Sequence, residues 1–182
     1  RGDGKKLYLY SQNNKKYKTF SGLSPVEGNQ THLRFHPIRS EWVAYSTSRQ
    51  NRTFLPNELE CPLCPMHTEE KSSDIPVDQY EVAIFTNRFS SLRLEETQIP
   101  ELEIPTQSAT GTCDVISYSS NHKEQFSELS QQRIELILKA VAHRSKDLLK
   151  KSNIEYVLPF ENKGKEIGVT LEHPHGQIYS FG

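Results

Sequence analysis

Three side chains suited to group transfer lie close together near the C-terminus, in the motif His173-Pro174-His175-Gly176-Gln177. Side chains of an extended segment point alternately to opposite faces, so both imidazoles and the Gln177 amide would share one face, with the imidazoles about 6–7 Å apart. One imidazole could then hold a metal ion while the other attacks a phosphoryl group. Taken alone, the motif also fits a strand end whose histidines only form hydrogen bonds.

A second motif, Cys61-Pro62-Leu63-Cys64, has the spacing of half a tetrahedral zinc site, which needs four sulfur or nitrogen ligands. A redox pair can have the same spacing, but the strand-to-helix setting of thioredoxin-like motifs is missing here. The chain has three cysteines, no secretory signal and no long apolar run. These features favour a reducing, cytoplasmic compartment, where paired thiols bind metal more often than they form disulfides. We therefore predict zinc.

Several of the seven histidines could supply the remaining ligands. His67 is near the cysteines but would close a cramped loop, and His143 lies in a helical pattern beside basic residues, which favours a solvated position. His122 follows a strand-like run and precedes a helix, and ligands commonly lie in such loops. Spacing alone favours His122 and His173 without settling the choice.

Length and composition predict a single domain. The 182 residues are 34% hydrophobic and 25% charged, as is ordinary for a soluble protein able to bury a sizeable core. Neither sign of charge dominates the net charge of −1, so nothing suggests binding to a nucleic-acid backbone or a membrane surface. Residues 1–30 are polar with several turn signals, and we expect a flexible or hairpin-like arm there.

The hydrophobic pattern predicts one long helix and several strands. Apolar residues recur at three- and four-residue steps over residues 127–151, with Ser127 or Ser130 as the N-cap. This apolar repeat consists of Ile134, Ile137, Leu138, Val141 and Leu148. Strands are predicted near residues 41–46, 80–86, 114–118, 155–160 and 168–179, and a linker loop at 100–105. This pattern indicates an α+β fold, with a sheet packed on one face by the helix.

Together the motifs resemble those of the galactose-1-phosphate uridylyltransferases, nucleotidyl transferases of the histidine-triad superfamily. The matching segments run in the family's order from about residue 33 to the end of the chain: Glu41-Trp42-Val43 followed by Arg49 and Arg52, the two cysteines, and residues 85–89, 119–122, 160–164 and 173–177. The resemblance covers most of this chain but only the N-terminal half of a typical member. It implies a histidine-triad-like fold with a mostly antiparallel, half-barrel-like sheet packed by helices.

The resemblance also implies a reaction, the exchange of UMP between UDP-glucose and galactose-1-phosphate through a covalent uridylyl-histidine. His175 would be the nucleophile, and Gln177 would hydrogen-bond the transferred phosphoryl group. A structural zinc ion would hold the first histidine of the motif in place. Its four ligands would be Cys61, Cys64, His122 and His173.

Further positions match the family's substrate contacts. Those implied to contact uracil and ribose are Leu63, Phe85, Asn87, Phe89 and Val115, and those near ribose and phosphates are Asn162, Gly168 and Thr170. Arg49 and Arg52 match a pair that reaches across a dimer interface toward a sugar phosphate, although surface charge alone would also explain them. Many relatives carry an acidic residue where Arg88 stands. Because arginine has no acceptor for ribose hydroxyls, we expect the ribose contacts to differ.

Two other functions remain open on the sequence. The chain could transfer adenylyl groups, as ADP-sugar phosphorylases of the same superfamily do. It could instead be a catalytically idle, zinc-stabilised nucleotide-binding fragment, because the family's hexose contacts come largely from the second half.

Overall fold

The computed structural model describes residues 1, 3–22, 30–47, 56–70, 72–95 and 98–182. Within this part of the chain it contains eight strands and one α-helix. In chain order these are β1 (Leu7–Tyr10), β2 (Thr31–His36), β3 (Glu41–Ser46), β4 (Val82–Thr86), β5 (Thr106–Ser108), β6 (Gly111–Ser117), α1 (Gln131–Leu148), β7 (Tyr156–Phe160) and β8 (His175–Phe181). Short 3₁₀ turns occupy Phe126–Glu128 and Lys165–Ile167. No helix in the described ranges is long and apolar enough to cross a membrane.

The main sheet has five strands in the order β1-β4-β6-β8-β7, and every neighbouring pair is antiparallel. All seven residues of the central strand β6 are buried, because strands flank it on both sides and both faces of the sheet are covered. A smaller antiparallel sheet has the order β3-β2-β5. The predicted α+β class with a mostly antiparallel sheet is confirmed.

Helix α1 packs on one face of the main sheet and is shorter than predicted. Ser130 is its N-cap and accepts a hydrogen bond from the Arg133 backbone N–H, whereas Ser127 belongs to the preceding 3₁₀ turn. Its buried residues include Ile137 and Leu148, which join a core cluster with apolar residues of β4, β6 and β8. Leu138, predicted as part of the apolar stripe, is instead 62% exposed.

Strand β8 begins at His175, seven residues later than the predicted strand over 168–179. Gly168, whose φ is +77°, lies outside the extended region, and the chain bends at His173 and Pro174 before the strand begins. His173 therefore lies just before the strand rather than within it. The predicted strand over residues 41–46 matches β3 at both ends, and the ends of the other three predicted strands differ by at most three residues.

The arm expected over residues 1–30 contains a strand of the main sheet. Residues Leu7–Tyr10 form β1, which pairs with β4 in antiparallel register, from Leu7 opposite Phe85 to Tyr10 opposite Val82. Its leucines pack on one face of the sheet and its tyrosines on the other. The sequence did not predict this strand, because its four-residue pattern is short and is surrounded by polar residues. Residues 2 and 23–29 lie outside the described ranges.

Candidate active site and metal centre

Four buried side chains with sulfur or imidazole ligand atoms converge at one edge of the main sheet. The Sγ atoms of Cys61 and Cys64 and one ring nitrogen each from His122 and His173 lie within 4.8 Å of one another. The Cys64 Sγ is 3.3 Å from Nδ1 of each histidine. Ideal tetrahedral zinc, with bonds of about 2.3 Å to sulfur and about 2.0–2.1 Å to nitrogen, separates sulfur and nitrogen ligands by about 3.5 Å. The cluster could therefore bind a metal ion.

The fold brings these residues together from three segments. The two cysteines lie in a turn closed by a hydrogen bond from the Cys64 N–H to the Cys61 carbonyl (3.3 Å). His122 follows β6 and His173 precedes β8, and the two strands are antiparallel, so both histidines lie at the same edge. His67, the alternative that spacing left open, is exposed and lies outside the cluster.

The His173 ring is oriented by its second nitrogen. Nε2 lies 2.7 Å from the Ser119 carbonyl oxygen, so the Nε2–H donates to that carbonyl and Nδ1 faces the cluster. The Tyr80 hydroxyl lies 3.1 Å from the same Nε2 and donates to the Leu63 carbonyl at 2.6 Å. Burial raises the pKa of Tyr80, so it keeps the proton that it donates. Such outer contacts fix the tautomer of a metal-binding histidine.

The cluster also favours the ionised form of a cysteine. A hydrogen bond from Cys64 is the main cause that lowers the pKa of Cys61, although burial raises it. The thiolate is the form of cysteine that binds metals. All three cysteines of the chain are buried and none forms a disulfide.

A cavity of about 580 Å³ opens beside the cluster, on the face of the sheet opposite α1. His175 and Gln177 line it, together with all eight residues whose positions match the family's nucleotide contacts. Those eight are Leu63, Phe85, Asn87, Phe89, Val115, Asn162, Gly168 and Thr170. Phe85 pairs with Val115 and Val115 with Gln177, so these three residues form one row across the sheet. The sequence motifs thus converge on one cavity.

The His175 ring is held by the backbone of the cluster. Its Nδ1 lies 2.7 Å from the carbonyl oxygen of His173, so the Nδ1–H donates to that carbonyl and the ring's lone pair is on Nε2. The next residue must be glycine, because a Cβ at Gly176 would collide with the Tyr118 hydroxyl and approach the Phe160 carbonyl to 2.9 Å. The motif is therefore packed tightly on the helix side of β8.

Gln177 completes the polar part of the cavity wall. Its Oε1 is buried without a hydrogen-bond partner among the described residues. A buried amide oxygen without a hydrogen bond costs free energy unless a ligand or a water molecule donates one to it. A second cavity of about 280 Å³ adjoins the first and shares with it the lining residues Asn162, Val169, Leu171 and His175.

Some residues of the site escaped sequence reasoning, and two predicted ones cannot be placed. Asp74 lines the cavity beside Arg88, and Tyr80 supports both Leu63 and His173. Asp74 and Tyr80 belong to none of the sequence motifs described above, so a single sequence gives no signal that identifies them. Arg49 and Arg52 fall outside the described residues.

Comparison with known proteins assigns the chain to a family. Residues 24–181 match the model of the galactose-1-phosphate uridyl transferase N-terminal domain. The galactose-1-phosphate uridylyltransferase of Thermotoga maritima is 34% identical over 152 residues, which cover 82% of this chain and 46% of the relative. The protein of the same name from Streptomyces lividans is 32% identical over 181 residues, covering 98% of this chain and 46% of the relative. This chain thus spans about half the length of the curated relatives it matches.

Solved structures agree with this assignment. A structure described as a uridylyltransferase superposes with a TM-score of 0.64 at 30% identity, over 82% of this chain and 45% of the other. An ADP-glucose phosphorylase from Arabidopsis thaliana with bound ADP-glucose superposes with a TM-score of 0.53 at 21% identity, over 84% and 49% of the two chains, and this likeness shows the shared fold alone. The resemblance inferred from the motifs is confirmed, and the chain belongs to the galactose-1-phosphate uridylyltransferase family, whose N-terminal domain it matches.

Proposed function

We propose that this chain carries the nucleotidyl-transfer site of an enzyme that exchanges UMP between UDP-glucose and galactose-1-phosphate. The observation that carries the proposal is the convergence of His175, Gln177 and all eight family-matched positions on one cavity. The names of the relatives from T. maritima and S. lividans support the choice of sugar phosphate and nucleotide.

In the first step, Nε2 of His175 attacks the α-phosphorus of UDP-glucose. A nitrogen–phosphorus bond forms, the bond from that phosphorus to the bridging oxygen breaks, and glucose-1-phosphate leaves with the electron pair. The hydrogen bond from Nδ1–H to the His173 carbonyl supports this role, because it leaves the lone pair of the ring on Nε2.

In the second step, a phosphate oxygen of galactose-1-phosphate attacks the same phosphorus. The nitrogen–phosphorus bond breaks, its electron pair returns to Nε2, and UDP-galactose is released. His175 lines both adjoining cavities, and this supports the proposal that its ring contacts both substrates. The Gln177 amide would hydrogen-bond the phosphoryl oxygens as charge develops on them.

Cys61, Cys64, His122 and His173 would hold a zinc ion, and the separations of the Cys64 sulfur from the two histidine nitrogens support that fit. With four protein ligands, zinc would contribute folding free energy rather than a reactive position. The chain's own contribution is to orient His173, whose carbonyl in turn orients the His175 ring.

The remaining parts of the proposal come from the family resemblance. The enzyme would be a cytoplasmic homodimer, in which Arg49 and Arg52 approach the sugar phosphate of the partner subunit's site. Three cysteines without a disulfide are consistent with a reducing compartment. Because the chain spans about half of its relatives, we propose that hexose specificity depends on groups outside it.

The proposal is tested by incubating the chain with UDP-glucose and mapping covalent adducts by mass spectrometry. We expect one uridylyl group on His175, with release of glucose-1-phosphate. His175→Ala should form no adduct while retaining its metal, since His173 and not His175 belongs to the cluster. His143→Ala, on the surface of α1, is the matched control and should form the adduct normally. An adduct that persists in His175→Ala would refute the mechanism.

Adenylyl transfer is the second candidate, because a relative from A. thaliana named ADP-glucose phosphorylase is 26% identical over 175 residues. Competition between UDP-glucose and ADP-glucose for adduct formation decides between the two. A preference for ADP-glucose would replace the uridylyl proposal with the adenylyl one.

A further inference from the structure

One wall of the cavity carries a charged pair that the transfer chemistry does not use. Asp74 and Arg88 both line the cavity, and their side chains are 12% and 19% exposed. The Asp74 Oδ1 lies 3.9 Å from Nε of Arg88 and 3.2 Å from Nη2 of Arg1. Arg1 therefore hydrogen-bonds the carboxylate at the edge of the cavity, and Arg88 lies at ion-pair distance without a hydrogen bond from its Nε.

The pair is anchored next to the apolar part of the lining. The backbone N–H of Asp74 donates to the Pro62 carbonyl at 2.8 Å, which fixes Asp74 beside Leu63. Arg88 lies between Asn87 and Phe89, in the turn that follows β4. Leu63 and Phe89 belong to the apolar walls against which a flat base could stack.

The reacting end of the cavity lies elsewhere. Gln177, Val115 and Phe85 form a row across the sheet, and His175 lies on one side of this row, opposite Ser117. Arg88 comes after the end of β4, on the other side of the same row. A nucleotide with its α-phosphorus at His175 and its base against the apolar walls thus brings its ribose toward the charged pair.

The chemistry of the pair suits a vicinal diol. A hydroxyl that donates needs an acceptor, and arginine offers none, whereas a carboxylate has about four acceptor sites and retains capacity when paired with arginines. Carboxylates read ribose hydroxyls in the same way in dinucleotide-binding folds. We infer that Asp74 accepts hydrogen bonds from the 2′- and 3′-hydroxyls of the bound nucleotide and selects ribonucleotides over 2′-deoxyribonucleotides. This inference rests on the proposed function, because it takes the cavity as a nucleotide site.

The test compares each protein variant with itself on two ligands, UDP and 2′-deoxy-UDP, by titration calorimetry. Since the ratio of the two dissociation constants is internal to each variant, it does not depend on the folded fraction. The unmodified chain should bind UDP about 10- to 100-fold more tightly, the usual effect of losing a hydrogen bond to a charged group. In Asp74→Ala the ratio should fall to within about threefold of one, and in the shape-conserving Asp74→Asn, whose carbonyl oxygen still accepts, it should fall part of the way.

Two further carboxylates sharpen the experiment. Asp78, on the same loop but outside the cavity lining, is the matched control, and Asp78→Asn should leave the ratio unchanged. Glu60 also lines the cavity. A ratio that collapses in Glu60→Gln but persists in the Asp74 variants would overturn the inference.

Failure of the inference and failure of the proposed function are distinguishable. A chain that binds UDP with an unchanged ratio in both Asp74 variants refutes the role of Asp74 and leaves uridylyl transfer standing. If the unmodified chain prefers ADP to UDP, and Asp74→Ala no longer prefers ADP to 2′-deoxy-ADP, uridylyl transfer is refuted and the role of Asp74 is supported. Failure to bind any of the four nucleotides would count against both.

Discussion

The two faces of strand β8 are buried to different degrees. Toward α1, Gly176, Ile178 and Ser180 are buried, whereas on the cavity side the alternating residues, including His175 and Gln177, stay partly exposed. Because strand side chains alternate, one seven-residue strand serves both a closed core and an open site. The helix side therefore supplies packing, and the cavity side leaves room for a ligand.

The two sides also carry different kinds of buried polar group. Under α1, Arg144 donates from Nε to Oδ2 of Asp114 at 2.6 Å and from Nη1 to the Tyr8 hydroxyl at 3.0 Å, so two opposite charges are paired within the protein, although Oδ1 of Asp114 has no hydrogen-bond partner among the described residues. On the cavity side, the Gln177 amide oxygen has no partner among the described residues. Substitutions on the helix side should therefore lower the free energy of unfolding, and those on the cavity side should lower the rate of transfer. The metal cluster should be the exception that affects both.

The largest effect is expected from Cys61→Ser, which removes one ligand of the cluster. Most of the bound zinc should be lost, and because structural zinc contributes directly to folding, loss of even about 4 kcal/mol would lower the melting temperature by roughly 8–16 °C. Metal analysis and thermal denaturation measure both effects. Cys113→Ser is the control, since Cys113 is equally buried but lies outside the cluster, and it should keep its zinc. Full zinc retention in Cys61→Ser would disprove the ligand set.

The next effect is expected under the helix. Arg144→Met leaves the fully buried Asp114 without its cation, which typically costs about 3–5 kcal/mol of unfolding free energy. Urea denaturation measures this loss. Lys139→Met breaks the exposed pair with Glu135 on the same helix and should cost less than about 1 kcal/mol. Equal costs for the two variants would contradict the contrast between buried and exposed pairs.

On the cavity side, Gln177→Ala should change rate and not stability. Losing one hydrogen-bond donor to a developing charge lowers the rate by about 10²–10³, so uridylyl-histidine formation should slow by that factor while the melting temperature stays close to that of the unmodified chain. Rapid-quench measurement of adduct formation gives the rate. A large fall in melting temperature at an unchanged rate would make Gln177 a structural residue.

The smallest effect is expected at Leu138, which is 62% exposed although it follows the buried Ile137. Leu138→Ala should change the unfolding free energy by less than about 0.5 kcal/mol, whereas Ile137→Ala should cost about 2–5 kcal/mol. The same denaturation experiment measures both. A comparable loss at the two positions would mean that the apolar stripe of α1 is wider than the structure shows.

The sequence was most informative where chemistry fixes residue spacing. The CxxC pair and the alternating histidines predicted residues that converge, because ligand and nucleophile geometry tolerates few other arrangements. The helix was also predictable, since its apolar period is long, but Leu138 was not, because a repeat alone does not define the edge of the buried stripe.

Sequence reasoning failed where structure depends on distant partners. Strand β1 is only four residues long in a polar setting, and its pairing with β4 bridges more than 70 positions of the chain. Asp74 belongs to no motif, and a hydrogen bond from its backbone N–H to the Pro62 carbonyl holds it beside the cavity. The expectation from Arg88 that the ribose contacts need another acceptor stays a prediction, and no pattern in one sequence could locate that acceptor.

The carbonyl of His173 that accepts from Nδ1 of His175 has a consequence for acidity. In many catalytic histidines a carboxylate holds the ring, and that carboxylate is protonated in acid, so orientation and reactivity fail together. A peptide oxygen does not titrate in water. In this chain the ring is therefore not held by a side chain whose own protonation in acid would release it.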